Sequence, residues 1–106
     1  MEEKEIIHDF INACNNDDLN GALAALKKLS AETINDHNNE DDYDMLIQAT
    51  VSGNPCAVEA LLNDGRCDLD HRENICGMTA AEFAADYDEN SRIRQAFRQY
   101  AARSAE

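Results

Sequence analysis

The sequence predicts an all-α solenoid, a single domain in which three pairs of helices stack side by side. Two observations carry this prediction. Apolar residues recur at i, i+3 and i+4 along the segments of each pair, which is the period of a helix that buries one face. The whole helix–turn–helix pattern also repeats after about 35 residues, and a repeat of that length is typical of helical solenoids.

The middle unit, residues 46–70, has the clearest pattern. Its apolar positions are Leu46, Ile47, Ala49 and Thr50 in the first helix and Val58, Leu61 and Leu62 in the second. Between the helices, Gly53 favours the left-handed backbone that ends a helix, and Asn54-Pro55 is typical of a helix start. Gly65 ends the second helix in the same way. One pair of this size cannot bury its own apolar faces, so it requires similar neighbours.

Copies of the middle unit lie on both sides of it. Displaced forward by 35 residues, five of its apolar positions match Ala81, Ala84, Ile93, Ala96 and Phe97. Displaced back by 36, the same positions match Phe10, Ala13, Ala22, Ala25 and Leu26. The single domain, 1–106, therefore divides into repeats at about 5–35, 40–70 and 74–103.

These repeats resemble those of the ankyrin repeat family. The run Gly77-Met78-Thr79-Ala80-Ala81-Glu82-Phe83-Ala84 is similar to that family's G-x-T-P-L-H-x-A box. Gly53 through Asp70 is similar to its G-x-x-x-x-V-x-x-L-L-x-x-G-A-D-V-N run, with one extra residue after Gly65. The resemblance covers roughly residues 5–100. It implies finger loops at about 30–42 and 66–78, and a non-catalytic function in protein–protein interaction.

The first repeat supplies two helices and the first finger. Helices are predicted over residues 3–15 and 18–29, joined by a turn whose Asp and Asn residues offer N-caps. The first finger, 30–42, is polar apart from its anchor Ile34. Thr33-Ile34-Asn35, like Asp68-Leu69-Asp70 in the second finger, is expected to be strand-like.

The last repeat supplies the closing pair of helices. They are predicted over residues 79–87 and 89–101. Thr79 with Glu82 three residues later forms a capping box at the start of the first one. Asp88 or Asn90 is the expected cap of the second.

The net charge of the chain limits the classes of molecule that we expect it to bind. The 106-residue chain has a net charge of −13, which disfavours nucleic acids and anionic membranes. Residues 1–44 carry 12 acids against 3 Lys or Arg, whereas residues 45–106 carry 10 against 6. A partner protein with a basic patch is the prediction, since complementary charge speeds association. The alternative is that the acidity confers solubility alone.

The cysteines bear on the expected compartment. Cys14, Cys56, Cys67 and Cys76 include no C-x-x-C pair. The N-terminus is acidic and unlike a secretory signal, and no apolar run approaches the length that spans a bilayer. The sequence therefore predicts a reduced, cytoplasmic protein with free thiols.

Metal sites and catalysis have little support in the sequence. Asp86-x-Asp88-x-Asn90 begins like a calcium loop, but other residues occupy the positions of its glycine and its glutamate. Cys67, His71 and Cys76 lack the paired spacing of structural zinc ligands. No nucleophile elbow or phosphate-binding glycine loop occurs. We expect no metal, no cofactor and no enzymatic activity, with a metal-binding protein as an alternative.

The remaining candidate site is the protein's surface. By the resemblance, the fingers and the exposed sides of the first helices form a concave face that binds a partner. The predicted contact residues are Glu40, Asp41, Tyr43, Val51, Ile75, Cys76, Met78, Asp86 and Tyr87. Apolar members would anchor the partner and acids would form the rim. For Tyr43 and Tyr87, packing between repeats is the alternative.

The sequence thus predicts a monomeric adaptor with an acidic concave face. Self-association is the alternative class of function. In a homodimer, the exposed Ile75 and Met78 would be buried against the second copy.

Overall fold

The computed structural model describes residues 2–104. Over these residues the chain forms seven helices and no strand. The helices are α1 (Glu3–Asn15), α2 (Leu19–Lys27), α3 (Ala31–Ile34), α4 (Met45–Ser52), α5 (Pro55–Asp64), α6 (Ala80–Ala84) and α7 (Arg92–Ser104). The predicted all-α class is confirmed. Six of these helices correspond to predicted ones, and α3 was not predicted.

The helices pack in three sequential pairs, α1 on α2, α4 on α5 and α6 on α7. The second helices of the pairs pack in a row, with α5 between α2 and α7. Among the first helices, α4 and α6 pack directly on each other. In contrast, α1 lies against α5 and has little direct contact with α4. The first two pairs therefore meet mainly through their second helices.

Local sequence signals set most helix ends as expected. Asp18, Asn54 and Thr79 cap α2, α5 and α6, because each side-chain oxygen accepts the backbone N–H three residues further on. Gly53 and Gly65 take the left-handed backbone, with φ of 73° and 82°, and end α4 and α5. Interactions that span three or four residues can be predicted from the sequence because their partners are chain neighbours.

The start of α7 differs from the prediction. Ser91 Oγ accepts the N–H of Arg94 at 3.2 Å, so Ser91 caps this helix instead of Asp88 or Asn90. The Asp88 carboxylate accepts the N–H of Asn90 at 2.9 Å and closes the preceding turn. Because both residues belong to that turn, the helix begins after them.

The first finger contains the one-turn helix α3. Ser30 Oγ accepts the N–H of Thr33 at 3.2 Å and caps this turn. The turn places Ile34 fully inside the core, with 0% of its surface exposed. Ile34 is thus the predicted anchor, but the strand-like conformation expected for residues 33–35 is wrong.

Asn35 joins the two fingers in place of a strand pair. Its Nδ2 donates to the carbonyl of Arg66 at 2.9 Å, and its Oδ1 accepts the N–H of Asp68 at 2.7 Å. One side chain therefore satisfies two backbone groups of the next finger, as a neighbouring strand would. The strand-like conformation expected for residues 68–70 is also wrong.

The core occupies matching positions in successive pairs. All five matched positions of the middle pair are buried: Leu46, Ala49, Val58, Leu61 and Leu62. In the last pair, Ala81 is exposed although it matches Leu46. The physical reason is the order of stacking. α6 packs on α4 and on α7, and it is the last of the first helices in the described residues, so no further pair follows to cover it.

Candidate protein-binding groove

A groove of about 640 Å³ opens between α1 and α4. It exists because α2 and α5 pack closely behind it while α1 and α4 stand apart. The centre of the α1 wall consists of Ile7, Phe10, Ile11 and Cys14, and the facing wall from α4 consists of Met45, Gln48, Ala49 and Ser52. Both sets follow i, i+3, i+4, i+7 spacing, so each helix lines the groove with one stripe. The α1 wall is apolar at its centre and polar at its two ends, Glu3 and Asn15, and the α4 wall is half polar.

Helix α1 carries more apolar surface than its packing requires. Ile6, Phe10 and Cys14 are buried at i, i+4, i+8 spacing. Ile7 and Ile11 form a second stripe toward the groove, and 46% of Ile11 is exposed. α1 packs on α2 and, less extensively, on α5, and neither contact covers Ile11 fully. The surplus of isoleucines is visible in the sequence, although it was not used there to predict a groove.

The groove has polar groups at its finger end. Glu3 Oε1 accepts the hydroxyl proton of Thr33 at 2.7 Å, which ties α1 to the first finger. Asp36 and Asn39 of that finger also line the groove and are exposed. An occupant would therefore meet an apolar floor and an acidic border.

The surroundings of two ionisable groups that line the groove, Asp44 and Cys14, determine their chemistry. Asp44, 2% exposed, caps α4 by accepting the N–H of Ile47 at 2.8 Å. Burial raises the pKa of Asp44, and the hydrogen bond from Ile47 partly offsets that rise. Burial, together with the neighbouring thiol of Cys56, raises the pKa of Cys14 to about 12. The Cys14 thiol therefore stays protonated at neutral pH and is a poor nucleophile.

The predicted contact residues of the first finger border the groove. Glu40 and Asp41 lie exposed on the turn of this finger. Tyr43 is half-buried, lines the groove and packs edge-on against Phe83, with ring centroids 6.0 Å apart. The ring therefore packs between repeats, which was the alternative for Tyr43, and the predicted partner contact stays a prediction.

The predicted contact residues of the second finger lie close to Tyr43. Burial raises the pKa of Tyr43, and the negative charges of Asp41 and Glu73 raise it further. Ile75 has 68% of its surface exposed, Cys76 is exposed and Met78 is half-buried. The two fingers meet where His71 Nε2 lies 2.9 Å from the carbonyl oxygen of Asp42.

Glu73 shapes the second finger and was not predicted. Its carboxylate accepts the N–H groups of Ile75 at 2.6 Å, Cys76 at 2.8 Å and Met78 at 3.1 Å, although the residue is 2% exposed. Burial raises the pKa of Glu73, but these backbone donors outweigh it and leave the pKa below its usual value. No periodic pattern marks such a residue, because its partners form a non-repeating turn.

The three other predicted contacts lie at the opposite end of α4. Val51, with 41% of its surface exposed, stands one residue before the end of that helix and outside the groove. Tyr87 donates its hydroxyl proton to the carbonyl of Thr50 at 2.6 Å, so it packs between the second and third pairs. Asp86 beside it is exposed. The nine predicted residues thus form two separate groups.

One cluster of possible metal ligands occurs in residues 2–104, and it differs from the one considered in the sequence. His37, Asp42 and His71 come together, with their ligand atoms within 4.8 Å of one another. Cys67 and Cys76 do not join His71. Cys67 is half-buried and donates its S–H to the carbonyl of Leu61 at 3.7 Å.

Comparisons of the chain with protein-family models, with curated proteins and with solved structures give no match. Across residues 2–104, every helix is too short or too polar to cross a lipid bilayer.

Proposed function

We propose that this chain is an ankyrin-like interaction module that binds one segment of a partner protein in the groove between α1 and α4. The bound segment is amphipathic and helical. Its apolar face lies on the Ile7–Ile11 stripe, and basic residues beside that face meet the acids of the first finger. The module has no catalytic function of its own.

The order of packing supports an ankyrin-like stack. The two helices of each pair pack together, and the second helices follow one another in a row. Fingers follow the first and second pairs, and Asn35 links the base of one finger to the base of the next. The same period of about 35 residues relates the buried positions of the pairs.

The Ile7–Ile11 stripe, half-buried at Ile7 and exposed at Ile11, is the single observation that carries the proposed binding mode. It faces a groove of about 640 Å³, a volume that accepts several side chains. Residues four apart on one helix match the i and i+4 anchors that a second helix presents in helix-in-groove recognition. Burying this apolar surface would stabilise the complex.

Charge supports a basic flank on the partner. Glu3 and Asp36 border the groove, and Glu40 and Asp41 are exposed on the adjoining turn. The chain as a whole has a net charge of −13. Lysine or arginine beside the apolar face would therefore be attracted, and salt would screen that attraction.

The chemistry of the groove supports a non-catalytic function. Its one thiol, Cys14, has a pKa of about 12 because it is buried. Its buried carboxylate, Asp44, is already engaged by the N–H of Ile47. Neither group is set up for nucleophilic or acid–base chemistry.

A designed peptide tests the proposal directly. The probe is a fluorescent amphipathic helix with leucines on one face and lysines on its flanks, and binding is followed by anisotropy. Ile11→Asp should weaken binding at least tenfold, because it places a charge in the apolar wall. Val51→Asp is the matched control, since Val51 is similarly exposed on a helix but lies outside the groove. Equal loss in both variants, or loss in Val51→Asp alone, would contradict the groove.

A second variant tests the acidic border. Glu40→Gln combined with Asp41→Asn removes two exposed charges next to the groove. Binding of the lysine-flanked peptide should weaken modestly and lose part of its salt dependence, while helix content stays constant. Asp42 and Asp44 are left unchanged because both have structural hydrogen bonds.

Self-association is the second candidate function, and the end of the stack favours it. Ala81, Ala84, Ala85 and Phe97 line a shallow depression of about 240 Å³ on the last pair, bordered by Arg94 and Arg98. Arginine at this end complements the acidic first repeat, which would give a head-to-tail contact. Sedimentation at two concentrations tests it, and Phe97→Asp should abolish any concentration dependence.

A further inference from the structure

His37, Asp42 and His71 form a cluster at the junction of the two fingers. His37 and Asp42 belong to the first finger and His71 to the second, 29 residues beyond Asp42. The two imidazole rings are stacked, with centroids 4.1 Å apart and an angle of 22° between their planes. Asp42 and His71 are largely buried, with side chains 16% and 12% exposed, whereas His37 is 51% exposed.

Each histidine places one ring nitrogen next to an oxygen atom of Asp42 that can accept a hydrogen bond. His37 Nδ1 lies 2.7 Å from Asp42 Oδ1, and His71 Nε2 lies 2.9 Å from the carbonyl oxygen of Asp42. His71 Nε2 is also 3.7 Å from Asp42 Oδ2. In the neutral imidazoles, these nitrogens carry protons that they donate to Asp42. A metal ion can replace both protons when each ring shifts to its other neutral tautomer.

We propose that His37, Asp42 and His71 bind a zinc ion that fastens the first finger to the second. Two imidazoles and one carboxylate are a ligand set that zinc accepts, and water would complete a four-coordinate site. Imidazole nitrogen favours zinc over magnesium and calcium, which take oxygen ligands.

The distances suit such an ion after small rotations. Zinc bonds of about 2.0–2.2 Å place ligand atoms roughly 3.3 Å apart in a tetrahedral site. The observed separations of 2.7 and 3.7 Å from Asp42 lie on either side of that value. Because His37 is half exposed and His71 is largely buried, the His37 ring makes the adjustment by rotating out of its stacked position on His71.

The proposed site has a structural consequence. Asp42 and His71 lie on separate fingers, so zinc would join loops that flank the middle pair of helices. A ligand that binds the folded state and not the unfolded one stabilises the fold by mass action. The site is distinct from the groove, and the proposed peptide binding does not depend on it.

Zinc titration of the metal-free full chain by calorimetry tests the proposal. The wild type should bind one zinc ion per chain, and magnesium and calcium should give no signal. His37→Ala and Asp42→Asn should each weaken zinc binding by at least about tenfold. Asn tolerates the left-handed backbone of Asp42, whose φ is 57°, so this variant removes the charge while keeping the turn.

Two control variants identify the ligands. His8→Ala removes an exposed histidine on α1, and Cys76→Ser removes the exposed thiol near the fingers. Both should bind zinc like the wild type. Loss of binding in either control, or undiminished binding in His37→Ala and Asp42→Asn, would overturn the proposal, as would absence of zinc binding by the wild type.

Thermal unfolding gives an independent measurement. Excess zinc should raise the unfolding midpoint of the wild type by several degrees and leave that of His37→Ala unchanged. Because His37 is half exposed, its replacement should not unfold the metal-free chain. An equal shift in both proteins would place the bound zinc elsewhere and contradict the assignment.

Discussion

The two junctions between helix pairs differ on the side of the first helices. Between the second and third pairs, α4 and α6 pack directly, and Tyr87 ties them by a 2.6 Å hydrogen bond to the carbonyl of Thr50. Between the first and second pairs, α1 and α4 stand apart and leave a groove of about 640 Å³. At both junctions the second helices pack closely.

The facing surfaces at the two junctions differ in side-chain size. The buried positions of α6 are Ala80 and Ala84, and small side chains allow two helices to approach closely. The side of α1 that faces α4 carries Ile7, Phe10 and Ile11, and these side chains line an open groove. The first helices are therefore in close contact at one junction and separated at the other.

The largest expected effect concerns Phe10 at the open junction. Phe10 is 4% exposed, so Phe10→Ala should lower the free energy of unfolding by about 3–5 kcal/mol. The measurement is urea unfolding followed by circular dichroism. Ile11→Ala on the same helix is the control and should change the free energy by about 0.5 kcal/mol or less, because Ile11 is 46% exposed. Equal losses would contradict the described packing of α1.

Enlarging one alanine at each junction tests the difference in space. Ala80 is 3% exposed in the closed part, and Ala80→Leu should cost about 1–3 kcal/mol by overpacking. Ala49 lines the groove, so Ala49→Leu should cost less than about 1 kcal/mol, because its added atoms enter open space. The free energies of unfolding are measured as before. A larger cost for Ala49→Leu would mean that the groove is filled.

The hydrogen bond of Tyr87 gives a smaller effect. Tyr87→Phe keeps the ring and leaves the carbonyl of Thr50 without this donor, so stability should fall by about 1 kcal/mol. The groove lies on the other side of α4, so binding of the lysine-flanked peptide should be unchanged. Weaker peptide binding in this variant would show that the two junctions are coupled.

The smallest expected effect is local and depends on pH. The pKa of Glu73 is held below its ordinary value of 4.5, so its contribution to the second finger is present above about pH 4.5 and is lost as pH falls through the folded-state pKa. In Glu73→Gln, hydrogen exchange at Ile75, Cys76 and Met78 should be faster than in the wild type at pH 7. The difference should vanish at low pH. The N–H groups of Asp41 and Tyr43, which the neutral amide of Asn39 accepts, should show no such change.

The contact residues drawn from the resemblance remain a prediction. Six of them lie at the finger tips beside the groove, and three lie at the far end of α4: Val51, Asp86 and Tyr87. The comparison of Ile11→Asp with Val51→Asp decides between the groove and the face predicted from the sequence. The structure adds the α1 stripe, which the predicted set did not include.

The sequence by itself determined the all-α class, the helix caps at Asp18, Asn54 and Thr79, and the glycines that end α4 and α5. These features depend on residues three or four apart, whose geometry follows from the helix itself. The tertiary structure alone decided the groove, the turn around Glu73 and the meeting of His37 with His71. Each of these depends on the distance between segments about 30 residues apart in the chain or on a loop without a period, and side-chain packing sets that distance.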